Sequence, residues 1–211
     1  TAMACKAPML IVPTMNTNMY ENPILQDNLK VLASYGKKII EPASGMLACR
    51  DVGKGKMPEP EVLFQHILRV IAFEKDLAGK KVLVTAGPTQ EAIDPVRYIT
   101  NHSTGKMGYA IAENAMLRGA DVTLVTGPCA VEPPMFVKVK PVISAQDMYE
   151  AVTEEYDQTD IVIMTAAVAD YRPAQVSTEK VKKQDSDLSI PLVRTKDILA
   201  TLGASKTHQF L

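Results

Sequence analysis

Residues 81–108, KVLVTAGPTQEAIDPVRYITNHSTGKMG, constrain this chain more than any other stretch. A short apolar run, Val82-Leu83-Val84, falls directly into a turn of small residues, Thr85-Ala86-Gly87-Pro88-Thr89. A buried strand ending in such a turn is where an open α/β sheet presents backbone amides to anions and nucleotides. A second feature, Asn101-His102-Ser103-Thr104-Gly105-Lys106-Met107-Gly108, precedes a stretch of helical periodicity. Its small and polar residues sit where the free amides of a helix start meet a phosphate, with Lys106 close at hand. Two anion-friendly features in one βα unit point to a phosphorylated ligand.

Charge places any such site locally. Lys and Arg total 23 against 24 acids, a formal net charge of -1, which gives no long-range pull toward nucleic acid or a membrane surface. The 46% apolar content over 211 residues suits a core-forming protein of one large or two small domains. Cys5, Cys49 and Cys129 form neither a metal-binding spacing nor an even disulfide set, so a reducing, cytoplasmic setting is expected. No apolar run approaches the roughly 20 residues that span a bilayer.

In order, the pattern predicts a buried strand over 8–13, a polar loop with methionines over 14–20, and a helix started by Asn22-Pro23 and stopped by Gly36. A short strand follows over 37–40, then a glycine- and proline-rich stretch, 41–58, expected as a mobile surface loop. A helix resumes at Glu59, with Val62, Leu63, Ile67, Val70 and Ile71 on its inner side. The domain boundary is expected within 73–79. Beyond it come strand 81–84, a helix over 106–117 closed by Gly119, strands at 121–126, 137–139 and 160–165, and a helix over 145–156 capped by Ser144. Residues 177–187 are highly charged, 188–193 alternate like an edge strand, a helix begins at Asp197, and 209–211 read as a strand cut short. The last feature leads us to expect the middle of a longer protein.

Each motif has a plain reading beside its chemical one. The turn at Gly87 and Pro88 has a single glycine and is not a dinucleotide fingerprint, so it is either an ordinary βα turn or an anion cradle. The second loop fails as a P-loop: Met107 stands in place of the metal-binding hydroxyl and Thr100 in place of the first glycine. A helix-start anion site of amides, Ser103, Thr104 and Lys106 survives that test. A cation there gains nothing from the helix dipole, which favours a ligand over a merely solvated lysine. Asp170, one loop after a strand, would hold a metal or a sugar hydroxyl, or brace a turn before Pro173. Lys180-Val181-Lys182-Lys183 is either a solvated run or a flap that closes over a triphosphate. Asn16 offers an amide to a small ligand or to its own loop. Cys49 is a proton donor, a nucleophile or an inert thiol, with no histidine nearby in sequence to activate it. The methionines at 15, 19, 46 and 57 line a flat cofactor or fill irregular space.

Five signatures occur in register: 13–19 (PTMNTNM), 45–49 (GMLAC), 85–108, 166–171 (AAVADY) and 180–183 (KVKK). Together they resemble the bacterial bifunctional coenzyme A biosynthesis proteins, which join a phosphopantothenoylcysteine decarboxylase to a phosphopantothenate–cysteine ligase. The resemblance covers essentially the whole chain. It implies an α/β fold of doubly wound, mostly parallel Rossmann-like sheets, with 1–74 the end of an FMN-dependent decarboxylase domain, 75–79 a linker, and 80–211 the front of a CTP-dependent ligase domain.

That likeness also implies roles. Asn16 would hold the cysteinyl carboxylate and Cys49, on a flap, would protonate or assist reduction of the ene-thiol left after oxidative decarboxylation. Asn101 would contact the acyl-cytidylate, the turns around Gly87, Pro88 and Ala167 with Ser103 and Lys106 would cradle the nucleotide or substrate, and Asp170 would bind the cytidine. Lys180, Lys182 and Lys183 would contact the triphosphate, whose charge Mg2+ would offset; no metal ligands are assigned. The implied partners are 4'-phosphopantothenate, cysteine and phosphopantothenoylcysteine, in a homo-oligomer of trimeric decarboxylase and dimeric ligase, up to a dodecamer. Residues 1–74 lack the family's first flavin-binding loop and active-site histidine and are not expected to decarboxylate by themselves. Two departures stand out: Tyr20 replaces the usual Trp, and Thr195-Lys196 replaces the usual Asn-Pro before the Asp-Ile helix start. The competing readings are an NAD(P)-linked Rossmann enzyme and a non-catalytic oligomeric nucleotide- or flavin-binding module.

Overall fold

A computed structural model describes residues 4–183 and 187–211; residues 184–186 of the charged stretch lie outside the described residues, as do 1–3. The chain divides into two compact units, Thr1–Phe73 and Glu74–Leu211.

In the first unit, β1 (Leu10–Ile11) leads through α1 (Thr17–Tyr20) and α2 (Pro23–Ser34) to β2 (Lys38–Ile39), which pairs with β1 in parallel. Both helices start on asparagine caps: Asn16 Oδ1 accepts from Asn18 N at 2.8 Å, and Asn22 Oδ1 from Ile24 N at 3.0 Å, with Pro23 opening the first turn. The stretch 41–58 is not the loop expected from its glycines. It forms an antiparallel hairpin of β3 (Ala43–Met46) and β4 (Val52–Lys56). The glycines serve close approach instead of mobility, since a Cβ on Gly55 would lie 2.0 Å from Met15 O and one on Gly53 2.3 Å from Thr17 Oγ1. The helix after Glu59 is α3 (Pro60–Ile71); of its expected inner side Val62, Leu63 and Val70 are half-buried, whereas Ile67 and Ile71 are 41% and 66% exposed.

The second unit begins with β5 (Lys81–Ala86), followed by a small hairpin, β6 (Gln90–Ala92) and β7 (Tyr98–Thr100), with no signal in the alternation pattern. Next come α4 (Lys106–Leu117), β8 (Asp121–Thr126), β9 (Lys138–Pro141), α5 (Ala145–Tyr156) and β10 (Ile161–Met164). A pair, β11 (Tyr171–Pro173) with β12 (Leu192–Arg194), precedes α6 (Ile198–Ala204). Ser144 and Asp147 form a complete capping box on α5, and Gly119, at φ 95°, ends α4.

Strands β10, β5, β8 and β9 form one parallel sheet in that order. Side chains alternate between its faces. Val82, Ile161 and Ile163 border, with Met107, Ala110 and Ile111 of α4, an apolar cleft of about 420 Å³, whereas Leu83, Val125 and Val162 pack with Met148 and Val152 of α5 and Ile198 and Leu202 of α6. Helices on both faces make the unit doubly wound. Met148, Val152 and Leu202 are essentially sealed from solvent, and each such side chain contributes about 1.5–3 kcal/mol by leaving water. Phe210 adds a parallel bridge beside Ile161, so the strand expected at 209–211 is present as a single bridge.

Candidate active site

In this strand order β5 connects forward to β8 on one side and neighbours the later β10 on the other. The carboxyl ends of β5 and β10 therefore flank a topological switch point, the place where open α/β sheets bind ligands. Two buried threonines build the floor there. Thr85 Oγ1 accepts from Thr165 N and Ala166 N, both at 3.2 Å, and Thr89 Oγ1 accepts from Ala169 N at 3.0 Å. The ladder runs on into the turn, with Ala167 N donating to Gly87 O at 2.9 Å and Pro88 bridging to Ala167. Asn101 crosses above it: its Nδ2 donates to Ala167 O at 3.3 Å and Val168 O at 3.1 Å.

Glycines pack this corner. Gly87 and Gly105 adopt positive φ, 73° and 74°, and a Cβ on Gly105 would stand 3.4 Å from Gly87 Cα and 3.1 Å from Cys129 Sγ. Gly105 is the N-cap of α4, and the helix begins without a side-chain cap. Its first amides thus stay open to an anion. Ser103 Oγ accepts from Gly105 N at 3.3 Å, while Lys106 is exposed in the first turn. Cys129 Sγ donates to Tyr109 Oη at 3.1 Å, and Tyr109 and Thr126 hydroxyls lie 3.2 Å apart. Burial first, and the Cys129 contact second, push the Tyr109 phenol up.

Asp170 lies at the rim of a cleft of about 480 Å³ with Arg194, Thr195, Lys196 and Asp197. Thr195 fastens that rim, donating its N to Asp170 O at 2.9 Å and its Oγ1 to Ala169 O at 2.6 Å. Lys196 places its Nζ 4.3 Å from the Tyr149 ring centroid. The Thr195-Lys196 departure thus keeps the helix start, where Asp197 Oδ1 accepts from Ala200 N at 2.8 Å. Lys180, Lys182 and Lys183 are exposed. Val181 between them is held by Asp94 and Arg97, two residues that sequence reasoning missed although Asp94-Pro95 carries a turn signal.

In the first unit Asn16 and Cys49 come together. Asn16 Nδ2 stands 3.3 Å from Cys49 Sγ and 3.2 Å from Asp51 Oδ2, and the thiol reaches the same carboxylate oxygen at 3.4 Å. These residues border a cleft of about 430 Å³ whose wall includes Met15, Met46 and Met57. Asp51 was not singled out in the sequence; the turn that brings it to Cys49 closes through Leu47 N to Asp51 O at 2.8 Å, with Arg50 at φ 68°.

Residues 77–211 match the model of the DNA/pantothenate metabolism flavoprotein C-terminal domain, and residues 1–72 that of the flavoprotein domain. The chain belongs to the DNA/pantothenate metabolism flavoprotein family. Among relatives of this flavoprotein family, the coenzyme A biosynthesis bifunctional protein CoaBC of Bacillus subtilis is 50% identical, covering 100% of this chain and 53% of that protein. CoaBC of Escherichia coli is 46% identical over 98% of this chain and 52% of that protein. The chain therefore spans about half the length of these relatives. A solved C-terminal domain of CoaBC superposes with TM-score 0.56 at 56% identity, over 63% of this chain and 62% of that one. The flavoprotein of this name from Streptococcus pneumoniae gives 0.56 at 27%, over 62% and 67%. Among the described residues no helix is long and apolar enough to cross a membrane.

Proposed function

We propose that the chain is part of a cytoplasmic coenzyme A biosynthetic enzyme that ligates 4'-phosphopantothenate to cysteine with CTP and decarboxylates the product. The observation that carries the ligase reading is Asn101 bridging to Ala167 and Val168 above the amide-lined turn at the switch point. Carboxylates are poor electrophiles near neutral pH. The phosphopantothenate carboxylate therefore attacks the α-phosphorus of CTP, the α–β phosphoanhydride bond breaks, and pyrophosphate leaves. The cysteine amine then attacks the acyl carbon and CMP departs. Open amides at the start of α4 and the turn at Gly87 and Pro88, with Ser103 and Lys106, supply fixed dipoles and charge for phosphate oxygens. Asp170 at the rim of its cleft takes the cytidine ribose, and Lys180, Lys182 and Lys183 face the triphosphate. Asn101 spends its amide donors on the protein, which leaves its Oδ1 to accept from the incoming amine. Among the described residues no three His, Cys, Asp or Glu side chains gather as a metal site, so no protein ligand for Mg2+ is assigned and no step is routed through one.

In the decarboxylase reading, Asn16 orients the cysteinyl carboxylate and Cys49 delivers a proton. The methionine-walled cleft suits a flat aromatic cofactor beside that pair, and FMN when bound there supplies two-electron chemistry. The homo-oligomer, trimeric through the decarboxylase and dimeric through the ligase, belongs to the same proposal. The NAD(P) alternative is not favoured by the family match, nor is a purely structural module.

Incubating the full-length protein with CTP and 4'-phosphopantothenate without cysteine tests the ligase reading. Stoichiometric pyrophosphate and an acyl-cytidylate by mass spectrometry are expected, with CMP appearing once cysteine is added. Release of no pyrophosphate would overturn it.

A further inference from the structure

Asp94 has a fully buried side chain, yet no step above uses it. It sits in the β6–β7 hairpin, and its two oxygens gather five donors. Oδ1 accepts from Val96 N at 2.8 Å and Arg97 N at 2.9 Å; Oδ2 accepts from Arg97 Nε at 3.0 Å, from Arg97 Nη2, and from Val181 N at 3.1 Å. The turn alone would satisfy the first four. The fifth comes from a residue 87 positions later in the chain.

Arg97 completes the connection from the other side, its Nη2 donating to Val181 O at 2.9 Å. Both main-chain polar groups of one residue are therefore gripped by the two members of one ion pair. Ser177 N donates to Ile93 O at 3.0 Å, a second tether at the near end of the same segment. Between and beyond these tethers Lys180, Lys182 and Lys183 are exposed. A surface segment dense in like charges gains little from its own side chains and repels itself. A charge-assisted grip on its backbone offsets that cost without using any of the lysines.

We propose that Asp94 and Arg97 form a latch that fixes residues 177–183 as a strap against the β6–β7 hairpin, making Asp94 a positioning residue for Lys180. This rests on the reading that Lys180 faces the triphosphate. The pair sets where the lysines stand while leaving their ammonium groups unpaired with it.

Limited trypsin digestion of the 211-residue chain, with cut sites mapped by mass and no nucleotide present, tests the latch. Asp94→Asn and Arg97→Lys are each expected to speed cleavage after Lys180, Lys182 and Lys183 about ten-fold, as loss of a charge-assisted contact implies. Cleavage after Arg118, and after Lys54 in the other unit, should stay at the wild-type rate. Asp76→Asn, which breaks a second carboxylate–arginine pair of the same unit, the one with Arg118, should leave the strap unchanged. Unchanged strap cleavage in both latch variants overturns the proposal. So does a uniform rise at every site, because it assigns Asp94 to the fold as a whole. Adding CTP to the full-length wild-type protein separates the underlying reading: protection of the strap supports it, whereas an intact latch effect without protection sinks the triphosphate role alone.

Discussion

The side-chain amide of Asn16 stands 3.3 Å from the Cys49 sulfur, bringing the cap of α1 and the tip of the β3–β4 hairpin to one point. The proton-delivery role predicts that Cys49→Ser in the full-length protein accumulates the oxidised, decarboxylated intermediate, detectable by mass spectrometry. Normal turnover would remove Cys49 from the chemistry. Asp51→Ala should lower turnover about ten-fold with a change of less than about 0.5 kcal/mol in stability, since the carboxylate is exposed.

Asn101→Ala should let pyrophosphate form while the acyl-cytidylate persists after cysteine is added, with assembly unchanged by light scattering. Because the amide also ties two loops, a loss of about 1–2 kcal/mol in urea denaturation is expected. Unimpaired amide formation contradicts the assignment.

Gly127 faces Pro88 so closely that a Cβ would fall 1.7 Å from its carbonyl oxygen. Gly127→Ala must push the two turns apart, and a loss of more than about 2 kcal/mol is expected, with CTP affinity falling too. Retained stability and affinity would show that the turns are not rigidly stacked.

The Arg97 guanidinium, aided by the backbone N–H groups of Val96, Val181 and Arg97, holds the Asp94 carboxyl well below the usual carboxylate range against the opposing effect of burial. A depressed folded value means the contribution is complete above the unfolded value near 4 and disappears as pH falls toward the folded one. The urea-midpoint gap between wild type and Asp94→Asn should thus be constant from about pH 8 to 5 and shrink below about pH 4. A gap that closes with rising pH would reverse the sign and refute the pair.

Period and caps made much of the fold legible. The α4 helix runs over 106–117 as expected because Gly105 and Gly119 bracket it, and Ser144 announced α5 through its box with Asp147. The β3–β4 hairpin was illegible because its glycines answer to Met15 and Thr17, contacts across the fold that leave no local pattern. The α3 stripe is legible as apolar, but periodicity says which residues share a face and not how far each is covered. In the site, Gly87, Ala167 and Asn101 were visible as motifs. The roles of Thr85 and Thr89 within their motif, and the Asp94–Val181 contact, were not, since each works through a backbone partner at least 80 positions away.

The hydroxyls of Thr85 and Thr89 hold three loop amides on either side of Ala167. The conformational entropy of that loop is thereby surrendered during folding, ahead of any ligand. Affinity at this corner should accordingly reflect the interactions a nucleotide itself makes more than any ordering it imposes. Replacing either threonine with valine should therefore lower the urea midpoint and CTP affinity together.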